Sequence, residues 1–145
     1  MAAGTYCLLL ENGPACVKVG ALGPTRFPAG YHVYVGSALG PGGLSRVSRH
    51  ARLSRGEPGP RLRWHIDYLL RSPAFRLDSA MCVVTPERLE CRLAGLLPGS
   101  PVPGFGCSDC KCPSHLFSFA DYPRAAVTGA MHRLAPGVPI KTIKI

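Results

Sequence analysis

The chain has 145 residues, a length typical of one domain with a substantial buried core. Hydrophobic residues make up 46% of it, which excludes a disordered composition. Lysine and arginine number 17 against 8 acidic residues, and the resulting net charge of +9 favours a polyanionic partner. Nucleic acid is the preferred partner, and an arginine-rich codon usage without functional meaning is the alternative.

Membrane and secretory classes are disfavoured by the hydropathy pattern. No apolar run approaches the roughly 18 residues that a membrane span needs. No charged and then apolar leader precedes a small-residue cleavage site, so we expect a cytoplasmic protein without a membrane partner. The 7 cysteines are an odd number, and we expect reduced thiols or metal ligands rather than a disulfide framework.

The first third of the chain predicts three β-strands. Residues 5–10 form a short apolar run typical of a buried strand. The turn-forming residues 11–14 predict that Ala15–Val19 returns beside it as a hairpin. Residues 20–28 are rich in turn formers and predict a loop. Residues 30–36, GYHVYVG, alternate strongly and predict the third strand.

The remainder predicts helices interleaved with strands. A helix should begin at Leu44, and another should cover residues 62–70. Phe75–Val84 predicts a strand, and Thr85 should cap a third helix that ends at Pro98. Residues 115–119 predict a last short strand, followed by an extended tail over residues 120–145. We therefore expect one α/β (α+β) domain over residues 1–145, with a small, largely antiparallel central sheet flanked by helices.

Four side chains on these elements can carry chemistry. Tyr6 and Tyr34 lie on the first and third predicted strands, where tyrosine is also an ordinary residue with a buried ring. Arg46 and His50 are four residues apart on the first helix and project together. An arginine can clamp a phosphate and a histidine can transfer a proton, although a solvated basic face explains the same spacing.

These residues, taken in order, resemble the GIY-YIG nuclease superfamily. The matching blocks are GTY at 4–6, YVGSA at 34–38, Arg46 with His50, and the helix around Glu90. Thr5 and Val35 replace the isoleucines of the two family tripeptides. Three longer segments resemble one uncharacterised branch of this superfamily, found alone or fused to endonuclease III-like proteins. They are FPAGYHVYVGSALG, RWHIDYLL and GCSDCKCPSHLF. The resemblance covers residues 4–119.

The resemblance implies a divalent-metal-dependent phosphodiesterase. Glu90, rather than its neighbour Glu87, would hold Mg²⁺ or Mn²⁺. Tyr6 would act as general base or orient the water, which requires nearby cations to lower its pKa from about 10. Tyr34 would bind the attacking water or the phosphate. Arg46 would neutralise the charge that develops on the phosphate oxygens.

The remaining expected site residues support that reaction. His50 would assist the arginine or handle a proton, and nucleic-acid contacts are expected from Ser37, Arg49 and Arg52. His65 and Asp67 are candidates for the cleft, but two residues apart on a helix they point about 200° apart, so they do not form a simple pair. A buried, hydrogen-bonded structural acid is the alternative for the aspartate.

The cysteines fall into two groups. Cys107, Cys110, Cys112 and His115 could satisfy tetrahedral zinc, although the spacing also fits a compact loop with reduced thiols. His115 is a candidate site residue even without a metal. The others are expected in the core: Cys7, Cys16, Cys82 and Cys91.

The sequence thus favours an endonuclease that cleaves nucleic acid in repair or processing. DNA is favoured over RNA as its substrate. Single-stranded, duplex, flap and junction substrates all fit these residues. A non-catalytic nucleic-acid-binding module of the same fold is the first alternative, and a zinc-stabilised interaction domain is the second. The fused relatives suggest a DNA-repair protein as a partner by analogy.

Overall fold

The computed structural model describes residues 2–59, 61–107 and 112–145, which contain eight β-strands and four α-helices. Six strands form the central sheet: β1 (Gly4–Asn12), β4 (Gly30–Ala38), β5 (Phe75–Val84), β6 (Ser100–Pro101), β7 (Leu116–Phe119) and β8 (Ile140–Lys144). β2 (Ala15–Val19) and β3 (Gly23–Phe27) form a separate two-stranded sheet. The helices are α1 (Ser45–Ser54), α2 (His65–Arg71), α3 (Glu90–Leu96) and α4 (Arg124–Leu134).

The central sheet is built around β1. The strand order is β6-β7-β4-β1-β5-β8, and each neighbouring pair is antiparallel. β1 pairs with β4 on one edge and with β5 on the other. Its near-continuous apolar run fits a strand that is covered on both faces. The predicted fold class, an α/β protein with a largely antiparallel sheet flanked by helices, is confirmed.

Each face of the sheet packs against its own pair of helices. Tyr6, Leu8 and Leu10 of β1 belong to a core that includes residues of α1, α2 and the β2–β3 sheet. Cys7 and Leu9 alternate with them and belong to a second core with residues of α3 and α4. Tyr6 therefore faces the α1–α2 layer.

One predicted strand pairing and two predicted helix starts are wrong. β2 does not return beside β1, because both edges of β1 are occupied, and it pairs instead with β3 inside the predicted loop 20–28. α2 begins at His65 and not at residue 62. Thr85 does not cap α3, because its hydroxyl accepts a hydrogen bond from the Glu87 amide in a separate turn, and the helix begins at Glu90.

The predicted extended tail over residues 120–145 is also wrong in part. It contains α4, which buries Val127, Ala130 and Met131 against the sheet. Only its end is extended, as β8, which pairs with β5. The buried residues of α4 follow a three- and four-residue spacing, which is the pattern of an amphipathic helix.

Candidate active site

A cavity of about 740 Å³ opens at the end of the sheet where β1 begins and β4 ends. Its wall includes each of the five residues predicted to be catalytic, which come from β1, β4, α1 and α3: Tyr6, Tyr34, Arg46, His50 and Glu90. Ser37, His65 and His115, predicted at the cleft or in contact with nucleic acid, line it as well. Five polar or aromatic side chains of this wall are not among the predicted site residues: Arg63, Trp64, Tyr68, Arg88 and Cys91.

The strand register places the two tyrosines on one face of the sheet. Tyr6 is opposite Gly36, and Tyr34 is opposite Leu8, so the two rings are diagonal neighbours. A Cβ atom at position 36 would overlap the phenol ring of Tyr6. Glycine at this position therefore makes room for the tyrosine.

Helix α1 delivers Arg46 and His50 to these rings. The Tyr6 hydroxyl lies 2.7 Å from His50 Nε2. Arg46 donates a hydrogen bond of 2.7 Å to the Ser37 carbonyl, and its guanidinium lies 4.9 Å from the centre of the Trp64 ring. The carbonyl and the indole together fix the position of the arginine beside the phenol.

The electrostatics of the cavity contradict one expectation. Burial, with a contribution from Tyr34, raises the pKa of Tyr6 well above its ordinary value, and Arg46 only partly opposes this. The lowered pKa that Tyr6 would need as a phenolate general base is therefore not found. Burial lowers the pKa of His50 to about 4, so the imidazole is neutral near pH 7. A neutral phenol facing a neutral imidazole is a pair in which tyrosine can donate and histidine can accept.

Glu90 supplies the carboxylate of the cavity. It is the first residue of α3, and its side chain is 28% exposed. Its charge raises the pKa of both tyrosines, although burial is the larger cause in each case. Glu87 is exposed and lies outside the described wall of the cavity. The two glutamates, three positions apart in the sequence, therefore differ in the structure: Glu90 lines the described cavity and Glu87 does not.

Two predicted site residues, Arg49 of α1 and Asp67 of α2, form an ion pair with each other. Arg49 donates to both carboxylate oxygens of Asp67, at 3.0 and 3.1 Å. Asp67 also accepts from the backbone amides of Arg63 and Trp64 at the start of α2. Burial opposes the ionisation of Asp67, but these hydrogen bonds outweigh it and the pKa of the carboxyl is lowered. Both residues therefore hold α1 to α2 and lie outside the described cavity wall.

His65 and Arg52, two further predicted site residues, line different cavities. His65 lines the cavity, where its Nδ1 accepts a hydrogen bond of 2.8 Å from the Gly106 amide. Arg52 is exposed and lines a second cavity, on the side of α1 that faces the C-terminal strand. It therefore lies outside the described wall of the candidate active site.

The cysteine predictions need a larger correction. Cys91 is exposed at α3 and forms a disulfide with Cys112, so it is neither a core residue nor a reduced thiol. Cys16 is also exposed, whereas Cys7 and Cys82 are buried as predicted. Cys110 lies outside the described residues. The sulfur atoms of Cys91 and Cys112 lie within 4.8 Å of a ring nitrogen of His115, a group that could hold a metal ion.

The fold and the cavity define a mixed α/β protein with a candidate active site of tyrosine, arginine, histidine and glutamate. Residues 5–135 match the family described as "Domain of unknown function DUF123". The match covers most of the chain, so the protein belongs to this family. No curated protein and no solved structure matches the chain. Within the described residues, no helix has both the length and the apolar character needed to cross a membrane.

Proposed function

We propose that the protein is an endonuclease of the GIY-YIG type that hydrolyses phosphodiester bonds, in DNA before RNA, with a divalent cation. One observation carries the proposal: Tyr6, Tyr34, Arg46, His50 and Glu90 line a single cavity, although they come from four separate elements. These are the residues that the family resemblance selects. Their convergence is an observation independent of the order in which they occur along the chain.

The chemistry of the donor set fits Mg²⁺ or Mn²⁺ at Glu90. The carboxylate is partly exposed, and the cavity has room for the water ligands that Mg²⁺ keeps when one or two carboxylates bind it. A cation bound there would neutralise part of the negative charge on the phosphate oxygens. Arg46, already held beside Tyr6, would bind the same phosphate and stabilise the negative charge that develops on it.

The protein residues can move the proton of the attacking water by a relay. The water oxygen forms the new bond to phosphorus and gives its proton to the Tyr6 oxygen, as Tyr6 gives its own proton to His50 Nε2. The bond from phosphorus to the 3′ oxygen breaks, and that oxygen takes a proton from solvent. His50, whose pKa is lowered to about 4, then returns its extra proton to solvent. The products are a 3′-hydroxyl and a 5′-phosphate. Because Tyr6 both accepts and donates a proton, its raised pKa does not prevent this step.

The test is cleavage of labelled single-stranded, duplex and branched DNA, and of RNA, with Mg²⁺, Mn²⁺ or EDTA. We expect metal-dependent products from the parent and from Glu87→Gln, and none from Glu90→Gln. The glutamine variants are matched, because both remove one charge and only the second lies in the cavity. Absence of cleavage of every substrate by the parent, or full activity of Glu90→Gln, contradicts the proposal.

A binding-only function is the second candidate. The raised pKa of Tyr6 favours it, because catalysis then depends entirely on the coupled proton transfer to His50 and has no phenolate base as a second route. The same assay separates the two functions when it is run beside a binding measurement. Salt-sensitive binding of nucleic acid without products selects the binding module.

A further inference from the structure

Three metal-binding side chains meet beside the candidate active site. Cys91 projects from α3, and Cys112 and His115 belong to the segment that leads into β7. Their ligand atoms all lie within 4.8 Å of one another. Cys91 and His115 also line the cavity itself. Sequence spacing does not reveal this group, because 21 residues separate the two cysteines that the structure joins.

We propose that the reduced protein binds one zinc ion through the thiolates of Cys91 and Cys112 and through Nε2 of His115. Zinc bonds of about 2.0–2.3 Å in a tetrahedral arrangement place neighbouring ligand atoms roughly 3.5–4 Å apart. Cys91 Sγ and His115 Nε2 are 3.7 Å apart. The histidine and one sulfur therefore already have the separation that zinc requires.

The second nitrogen of His115 supports the same assignment. Histidines that bind a metal through one nitrogen direct the other toward a carboxylate or a carbonyl oxygen. His115 Nδ1 lies 3.8 Å from a carboxylate oxygen of Glu90. Because the imidazole is only 3% exposed, the ring is held with Nε2 toward the sulfur and Nδ1 toward the carboxylate. A carboxylate oxygen of the cavity therefore faces the second nitrogen of this ligand, at a distance longer than a hydrogen bond.

The disulfide and the zinc site are alternative states of the same cysteines. Reduction by a dithiol supplies two electrons and two protons, breaks the bond between the sulfurs and yields two thiols, while the reductant becomes a disulfide. Zinc then displaces the two thiol protons. Among the described residues three side chains form this group, so the fourth tetrahedral position is open to a further ligand. The assignment does not depend on nuclease activity, because it concerns binding of the metal alone.

The experiment measures zinc content and zinc affinity of the full chain after chelator treatment, with and without a phosphine reductant. We expect one zinc per reduced chain and none per oxidised chain. Cys91→Ser and Cys112→Ser should each weaken binding at least about tenfold. Cys16→Ser is the matched control, because this cysteine is exposed on β2 and should leave binding unchanged.

Cobalt and thiol modification provide readouts that loss of folding alone does not imitate. Reduced parent protein loaded with Co²⁺ should show thiolate-to-cobalt absorption, and Cys16→Ser should retain it. Zinc should slow alkylation of Cys91 and Cys112, identified by peptide mapping, without slowing alkylation of Cys16. Failure of the reduced parent to bind zinc, or equal affinity in Cys91→Ser and Cys16→Ser, overturns the assignment whatever the outcome of the cleavage assay.

Discussion

Tyr6 and His50 form a buried proton-transfer pair. Each residue is only 1% exposed, and their polar atoms lie 2.7 Å apart. Burial disfavours both charged forms, the phenolate and the imidazolium. It therefore raises the pKa of Tyr6 and lowers the pKa of His50. In the proposed reaction, neither charged form exists before the water attacks. The pair can therefore act only when a proton enters at Tyr6 and leaves to His50 in the same step.

Replacement of the phenol hydroxyl tests this relay. Tyr6→Phe should lower the cleavage rate about 10²–10⁴-fold, because the water loses its proton acceptor while the ring still fills its place. His50→Gln combined with Tyr6→Phe should be little worse than Tyr6→Phe alone, since residues of one relay act as a unit. The measurement is single-turnover cleavage.

Tyr31→Phe is the control for this prediction. Tyr31 lies on β4 of the same sheet, but its ring packs against Tyr122 and does not line the described cavity. It should keep the activity of the parent. Parental activity in Tyr6→Phe would exclude the phenol from the proton path.

Two buried histidines predict that stability falls in mild acid. Burial lowers the pKa of both His32 and His50 to about 4, against about 6.5 in an unfolded chain. Between these values the unfolded state binds more protons, so the free energy of unfolding decreases as the pH falls through this window. The full effect is about 3 kcal/mol for each histidine.

Urea unfolding at several pH values between 7 and 4 measures this loss. His32→Phe should remove about half of it, because phenylalanine does not titrate and Phe27 and Phe75 already surround the ring. An identical pH dependence in parent and His32→Phe would contradict the assignment to this histidine.

Residue types could be predicted at this site, but their contacts could not. Arg46 and His50 follow from helical spacing, since residues four apart share a face. Cys91 was assigned to the core because it lies in an apolar stretch, and its contact with Cys112 depends on how α3 meets a distant loop. Asp67 has two sequence neighbours among its partners, but its arginine comes from another helix.

Strand pairing between β1 and β4 sets the shape of the cavity. The register places Gly36 opposite Tyr6, so the strand itself forms the surface on which the phenol lies. Gly40 lines the same cavity, but a Cβ atom there would meet no atom of the described residues within 4 Å. The two glycines are therefore a matched pair, one that is needed for packing and one that is not.

Gly36→Ala should displace Tyr6 and abolish its contact with His50. We expect a destabilisation of about 1–3 kcal/mol, typical of an overpacked core, together with a loss of cleavage comparable to that of Tyr6→Phe. Thermal unfolding and single-turnover cleavage measure the two effects. Gly40→Ala should be close to the parent in both assays. Equal behaviour of the two variants would show that the close approach at position 36 does not constrain the phenol.

Elements with strong local patterns were predicted, and those that depend on long-range pairing were not. Phe75–Val84 and Ala15–Val19 have the predicted bounds, because apolar runs between turn residues specify strands locally. The partner of β2 could not be predicted, since it depends on β4 and β5 occupying both edges of β1. The sequence of α4 has the apolar spacing of an amphipathic helix, although we predict an extended tail there.

Some arginines of the molecule are paired with acidic residues, and others lie at the cavity. Several arginines are engaged by the few acidic residues: Arg49 by Asp67, Arg55 by Glu57 and Arg76 by Glu11. Arg63 and Arg88 are exposed at the cavity, and Arg46 lies inside it. The part of the surface beside the candidate active site therefore offers cations to a phosphate backbone that passes over the cavity.

Salt dependence tests whether nucleic acid follows this path. The logarithm of the binding constant should fall linearly with the logarithm of salt concentration, with a slope set by the number of phosphates contacted. Arg63→Ala and Arg88→Ala should each reduce the slope by about 1, since each removes one phosphate contact. Fluorescence anisotropy in EDTA, with Glu90→Gln as the background, measures binding without cleavage.

Arg76→Ala provides the matched loss of one positive charge. Arg76 pairs with Glu11 near the end of β1 that lies away from the cavity, so its removal should leave the slope unchanged. Equal slopes for all three variants would mean that only the net charge attracts nucleic acid. In that case the backbone would not pass the cavity, and the cleavage proposal would lose its route for substrate.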